Sequence, residues 1–460
     1  MATRNVSRRM LAIGAPVLIG IAVLAALVGY RGMQAHRSQG DPALLERIAQ
    51  YGRTAGADAD AVTRGKYLAA AGDCIACHTA ANGKAFAGGL ALNTPFGKIV
   101  ASNITPDKTY GIGAWSDAQF VRAVKAGVAP HAKLLYPAMP YNLYAKVGDE
   151  DILDILAYLK TVPAVHEPIT ANALPFPFNI RLLMFGWNLL FFDRTPFQPD
   201  PKQSVEWNRG AYLVAGLGHC TACHSAKNAL GGDSDYLEGG DLEGWHAPEI
   251  SGNGYLGLGK WSVADITTYL HTGGNRVGVA AGPMSEAVTD SLQFMNAADL
   301  KAMAVYLKSV PGSGATPPAP LAAGDATMAL GRDLYRANCA ACHRANGAGV
   351  DAMVPSLAAN PGVQAPGANN VIRTILVGGR GAVTGSNPTG AQMPGFAWKL
   401  SDAEIAALAT YVRNDWGNAA AAVGETDVAR LRHPLDADTQ MQPHPALSSG
   451  AKSVAPSEAQ

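Results

Sequence analysis

The sequence carries no net charge. Its 36 lysines and arginines balance 36 aspartates and glutamates, which gives no case for a nucleic-acid partner, since that would need a basic face. Charged residues make up only 16% of the chain and aromatic residues 7%. It has no P-loop string, and no hydrolytic triad can be assigned. Strand-like alternation is scarce. No cysteine is left over for a structural disulfide, because all six lie in C-x-x-C pairs.

What is present is repetition. "CIACH", "CTACH" and "CAACH" place Cys74, Cys77, Cys220, Cys223, Cys339 and Cys342 in three identical frames, each closed by a histidine: His78, His224 and His343. The first cysteines are 146 and then 119 residues apart. One such pentapeptide is weak evidence, but three that use every cysteine point to one chemistry used three times.

The surroundings repeat too. "RGKYLAAAGDC" (64–74), "RGAYLVAGLGHC" (209–220) and "GRDLYRANC" (331–339) read as helices running into the motif. Downstream, "WSDAQFVRAV", "WSVADITTYL" and "LSDAEIAALATYV" offer serine or aspartate as helix N-caps. Each unit closes on an amphipathic helix with apolar positions at i, i+3, i+4 and i+7. These are Ile152, Ile155, Leu156 and Leu159, then Leu300, Met303, Ala304 and Leu307, then Ile405, Leu408, Ala409 and Val412. A tyrosine sits at the same offset each time: Tyr158, Tyr306 and Tyr411. The expected fold is mainly α, three small units in series, with a little-ordered tail over 419–460.

The uncharged run at 10–30 is about as long as a bilayer is thick. Arg4, Arg8 and Arg9 precede it, which keeps the N-terminus inside and the bulk of the chain outside. With no small-x-small site at its end, residues 1–34 read as a retained signal anchor rather than a cleaved leader. Arg8 and Arg9 are read as orienting charges and not as a twin-arginine signal. A Pro/Gly/Ala spacer fills 313–325. The linker at 166–203 instead contains "LPFPFNIRLLMFGWNLLFF" (174–192). That stretch suits an interfacial or subunit-docking helix, with a buried packing helix as the alternative.

C-x-x-C-H is compatible with zinc, a redox dithiol or covalent haem. Zinc needs four ligands around one ion, and three knuckles more than a hundred residues apart do not pair. A thioredoxin-like dithiol expects a βαβ frame, and none is visible. For c-type haem every residue has a task. The cysteines form thioethers to the porphyrin, and the histidine lies under the iron. A methionine thioether as sixth ligand closes the site and raises its potential.

Each unit supplies that methionine in a loop: Met139 in "YPAMPY", Met284 in "AGPMSEA" and Met393 in "AQMPGF". They stand 61, 60 and 50 residues after the histidines and 19, 22 and 18 before the closing-helix tyrosines. Met295 competes with Met284. Met184 and Met303 read as packing residues, and His131, His166, His246 and His271 as surface or packing residues, while His219, which abuts Cys220, reads as a neighbour of the site or an exposed residue.

With "LYPAMPY", "ASNITPD", "GHCTACH", "ACHRANGAG" and "MPGF" between and around these sites, residues 60–418 resemble a known family. It is the triple-haem cytochrome c subunit of bacterial membrane-bound alcohol, aldehyde, gluconate and fructose dehydrogenase complexes. The resemblance implies three tandem cytochrome c-like domains (55–165, 204–312 and 326–418) and three covalently bound haem c. It implies a separate catalytic dehydrogenase subunit of molybdenum-cofactor/iron–sulfur, PQQ or FAD type, with room for a small third subunit. It also implies delivery of electrons to ubiquinone at the periplasmic face of the inner membrane. The 174–192 segment looks most like members paired with a molybdenum-cofactor aldehyde dehydrogenase. A free-standing multihaem enzyme and a terminal-oxidase cytochrome are the rival readings.

Overall fold

The computed structural model describes residues 42–437 apart from 54–59, 243 and 323. The expected anchor at 1–34 lies outside the described residues. Three helical units follow one another, and the expected mainly α architecture is found. Sheet is confined to four two-stranded antiparallel ladders among the described residues.

Each unit is built on one helix crossing. The leading helices are Ala61–Ala71, Val205–Tyr212 and Ala326–Asn338, and the closing helices are Asp149–Leu159, Ala297–Ser309 and Asp402–Val412. These are the most intimate helix pairs in the protein, and a glycine makes each possible. A Cβ on Gly65 would stand 1.8 Å from the carbonyl oxygen of Asp154. On Gly210 it would stand 2.0 Å from that of Ala302, and on Gly331 2.2 Å from that of Ala407. Glycine inside a helix costs about 1 kcal/mol in propensity; here the missing side chain lets two backbones touch. The closing-helix tyrosines lie one turn beyond each contact and pack edge-on against Phe86, Trp207 and Trp416.

The apolar stripes read from the sequence face inward, and all twelve residues are buried. Burying a Leu or Ile side chain contributes about 1.5–3 kcal/mol, so the stripe, more than propensity, holds each closing helix. The second unit spaces its glycine ten residues before the first cysteine, against nine and eight in the others. It absorbs the excess in a π turn at Leu213–Leu217.

The expected serine caps divide into two kinds. Ser116 and Ser262 cap middle helices, Asp117–Ala126 and Val263–Thr272. Ser401 caps the third closing helix, so "LSDAE" is not the counterpart of the other two. The third middle helix, Asn369–Val377, has no side-chain cap.

Most buried apolar residues of the first two units form one continuous core, which Ala382 of the third unit joins, and most of those of the third form a second. A helix at Pro42–Arg53 leans on the second unit, with Leu44 and Ile48 buried and the Tyr51 hydroxyl 3.1 Å from Glu206.

The tail departs from expectation. Glu425–Ala437 is a helix packed on the third unit through Val428 and Leu435. Arg432 ties it to Asp402 at 2.6 Å and to the carbonyls of Ala397 and Leu400. Upstream, the buried Arg413 guanidinium donates to the carbonyls of Val363, Ala365 and Ala421. Alanine-rich composition hid this order, because the ordering contacts come from the neighbouring unit. Residues 438–460 lie outside the described residues.

The linker segment folds as a short helix, Leu183–Phe191. One side docks on the first unit, with the Tyr141 hydroxyl on Asn188 and Phe192 buried against Tyr141. The other side is open: Phe176, Leu182, Leu183, Phe185 and Leu190 are all exposed. The segment is therefore not a buried interdomain packing helix, although Trp187 Nε1–H donates to the Leu230 carbonyl of the second unit at 2.9 Å. Among the described residues, no helix is long and apolar enough to cross a membrane.

Candidate functional site: three cysteine–histidine pockets

Each motif forms a single helical turn. The backbone N–H of His78, His224 and His343 donates to the carbonyl of the first cysteine at 3.1, 2.9 and 2.9 Å. The turn brings residues i, i+3 and i+4 to one side, the positions of the two sulfurs and the imidazole.

The second ring nitrogen of each histidine is already engaged. Nδ1 lies 2.6 Å from the Ser102 carbonyl in His78, 2.7 Å from that of Pro248 in His224, and 3.2 Å from that of Pro355 in His343. A carbonyl only accepts, so Nδ1 carries the proton and the Nε2 lone pair is left for a metal. Burial pushes all three imidazoles below their ordinary value, and the carbonyl bond opposes it in part. The neutral ring, the form that ligates, is thereby favoured.

The thiols behave in the opposite sense to reactive or zinc-binding cysteines. Burial pushes Cys74 and Cys220 up to about 12, and Cys77 and Cys339 up to about 11. Zinc ligation and dithiol exchange both work through thiolates, which form at depressed values. No two of the six cysteines are bonded to each other. Among the described residues, no group of three or more His, Cys, Asp or Glu could hold a metal ion. These observations agree with sulfurs that become thioethers.

Cys220, Cys223, His224 and Met284 line one cavity of about 410 Å³, and Cys339, His343 and Met393 line the same cavity. The structure thus brings histidine and methionine together in the second and third units and joins the two pockets. Cys342 is exposed and off this wall. Cys74, Cys77, His78 and Met139 lie apart from the cavity, although Cys74 and Met139 both pack on the core of the first two units. Met295 is buried in that core and away from the cavity wall. Met303 is buried in the closing helix and also forms part of the wall.

The remaining histidines divide. His131 and His271 are exposed, and His166 pairs with Asp107 at 2.9 Å. His246 reaches the cavity wall while its Nδ1 bonds Asp241 at 2.8 Å. His219 stands edge-on to Tyr144.

Sequence reasoning missed Trp261. Its indole is buried on the cavity wall, and its Nε1–H has no hydrogen-bond partner. An orphaned buried donor costs about 1–3 kcal/mol. A porphyrin carboxylate in this otherwise apolar space would satisfy it, so the residues present fit a haem. The paired strings "WSDAQ" and "WSVAD" were the available signal, but nothing in a string shows that an N–H goes unpaired.

The sequence profile of the cytochrome c family matches residues 62–163, 208–311 and 328–416. The chain is 42% identical over 360 residues to a component of the nicotinate dehydrogenase of Pseudomonas putida, covering 76% of this chain but only 30% of that protein. It is 39% identical over 393 residues to the gluconate 2-dehydrogenase cytochrome c subunit of Pantoea cypripedii, covering 81% of this chain and 89% of the relative. It is 38% identical over 424 residues to the cytochrome c subunit of the quinone alcohol dehydrogenase of Gluconacetobacter polyoxogenes, covering 87% and 89%. The chain belongs to the cytochrome c family, and its cysteine pairs are those of covalently bound haem c.

Proposed function

We propose that this chain is the electron-transfer subunit of a membrane-bound dehydrogenase complex. Three haems are attached at Cys74/Cys77, Cys220/Cys223 and Cys339/Cys342. His78 and Met139, His224 and Met284, and His343 and Met393 would hold the three irons, in domains spanning 55–165, 204–312 and 326–418. Haem iron supplies the one-electron couple when bound. The chain's own residues hold the imidazoles in the ligating tautomer, keep water from the pocket and set the distance between sites.

The observation that carries this reading is the threefold imidazole-to-carbonyl bond beside each cysteine turn. The names of the relatives support it, since they belong to alcohol, gluconate and nicotinate dehydrogenases. Substrate oxidation is accordingly assigned to a partner subunit, with ubiquinone as acceptor at the periplasmic face of the inner membrane. The open apolar side of the 176–190 segment suits docking at that interface.

Purification of the native complex from membranes tests the proposal. Three haems per chain, a co-purifying dehydrogenase subunit, and haem reduction by its substrate with reoxidation by a ubiquinone analogue are expected. A chain purified free of any dehydrogenase, with haems that substrate cannot reduce, overturns it.

A further inference from the structure

Two residues past the crossing glycines stand Tyr67 in the first unit and Tyr212 in the second. The Tyr212 hydroxyl donates to Asp151 at 2.5 Å and accepts from the Gly148 N–H at 2.9 Å. The Tyr67 hydroxyl donates to Asp299 at 2.7 Å and accepts from the Asn296 side-chain amide at 2.9 Å, with the Asn296 backbone N–H at 3.4 Å.

Gly148 and Asn296 are the N-caps of the first and second closing helices, and Asp151 and Asp299 are the third residues of those helices. Each unit's tyrosine therefore completes the helix start of the other unit, satisfying donors a helix end leaves open. The third unit needs no such help. Ser401 and Glu404 form its own capping box, and Asp333 occupies the equivalent place two residues past Gly331.

The exchange is reciprocal, as across a twofold dimer interface, but within one chain. Around its axis the two attachment loops meet. The Tyr144 hydroxyl donates to the Gly72 carbonyl at 3.0 Å, and its ring lies edge-on to His219. Gly72 is two residues before Cys74, and His219 is one before Cys220. The second unit's helix Pro283–Asp290, which carries Met284, rests on the Cys74–Cys77 turn. The second and third units meet differently, through paired bonds between the His246 backbone and the Asn370 amide at 2.8 and 2.7 Å.

We propose that Tyr67 and Tyr212 are positioning residues that fasten the first and second units into one two-haem body, with their electron exchange crossing the junction of the two attachment loops. This rests on the three-haem reading. A haemochrome count below three would reveal failure of that reading before any kinetics.

The test uses the full chain carrying its haems, as wild type, Y67F, Y212F and the double variant. Electron redistribution is followed after flash photoreduction. Each single variant should slow the same one of the two inter-haem phases by a similar factor. The double variant should slow it further than either single variant does. The other phase and the three low-spin spectra should stay unchanged. Unaltered phases in the double variant, or equal slowing of both phases, would overturn the proposal. D151N keeps an oxygen to accept from Tyr212 and should retain the wild-type rate; slowing equal to Y212F would also overturn it. Should the double variant not accumulate, the single variants and D151N decide.

Discussion

The imidazole of His78 is held by the backbone of Ser102, with Nδ1 2.6 Å from the carbonyl oxygen. The same bond recurs from His224 to Pro248 and from His343 to Pro355, over sequence separations of 24, 24 and 12 residues. Because the acceptor is backbone, the ring orientation is set by the path of the loop and not by any one side chain. A short third loop gives the longest of the three bonds, 3.2 Å.

Replacing His224 by alanine should therefore separate attachment from ligation. Cys220 and Cys223 remain, so three haems per chain are expected by haemochrome assay. One of the three should lose its low-spin signal in electron paramagnetic resonance.

The two methionines near the second pocket should behave oppositely. Met284→Leu should lower one midpoint potential and open one haem to added imidazole, because the thioether favours Fe(II) and fills the last position. Met295→Leu swaps one buried apolar side chain for another of similar volume. It should cost less than about 1.5 kcal/mol and leave all three potentials in place. Potentiometric titration of both variants distinguishes ligand from packing residue.

Glycine substitutions test the helix crossing. Gly210→Ala drives a methyl into the Ala302 carbonyl and should cost about 3 kcal/mol or more, seen as a large fall in melting temperature. Gly186→Ala, in the linker helix with nothing within 4 Å, should stabilise by about 0.4–1 kcal/mol.

The buried pair Arg209–Asp299 gives a pH dependence. Two 2.8 Å bonds join them, and both side chains are almost wholly inaccessible. Burial pushes the Asp299 carboxyl upward. The bonds and charge of Arg209, with bonds from Tyr67 and Asn296, outweigh it and hold the carboxyl below its ordinary range. A depressed carboxylate contributes stability that is fully present above the unfolded value of about 4 and is lost as pH falls through the folded value. Asp299→Ala should cost about 3–5 kcal/mol at neutral pH by leaving Arg209 buried and unpaired. Melting curves from pH 7 to pH 3 should fall less steeply in Asp299→Asn than in wild type.

Much of the site was readable as a string. The spacing of the cysteine frames, the three loop methionines and the closing-helix stripes are local patterns, and local patterns survive without coordinates. The crossing glycines were present in "RGKYL" and "RGAYL", but a lone helical glycine has no meaning until the second helix is in place. The helix at Glu425–Ala437 escaped for the same reason: Val428 and Leu435 are apolar residues whose partners lie in another element.

By itself the sequence supplied the three cysteine–histidine frames, the candidate ligands and the helices that bear them. These depend on residue type and on spacings of three to seven positions, which the chain carries wherever it folds. Only the tertiary structure decided how the units are joined. Tyr67 meets Asp299 across 232 residues and Tyr212 meets Asp151 across 61. Such contacts arise from the packing of whole helices, which no short stretch of chain encodes.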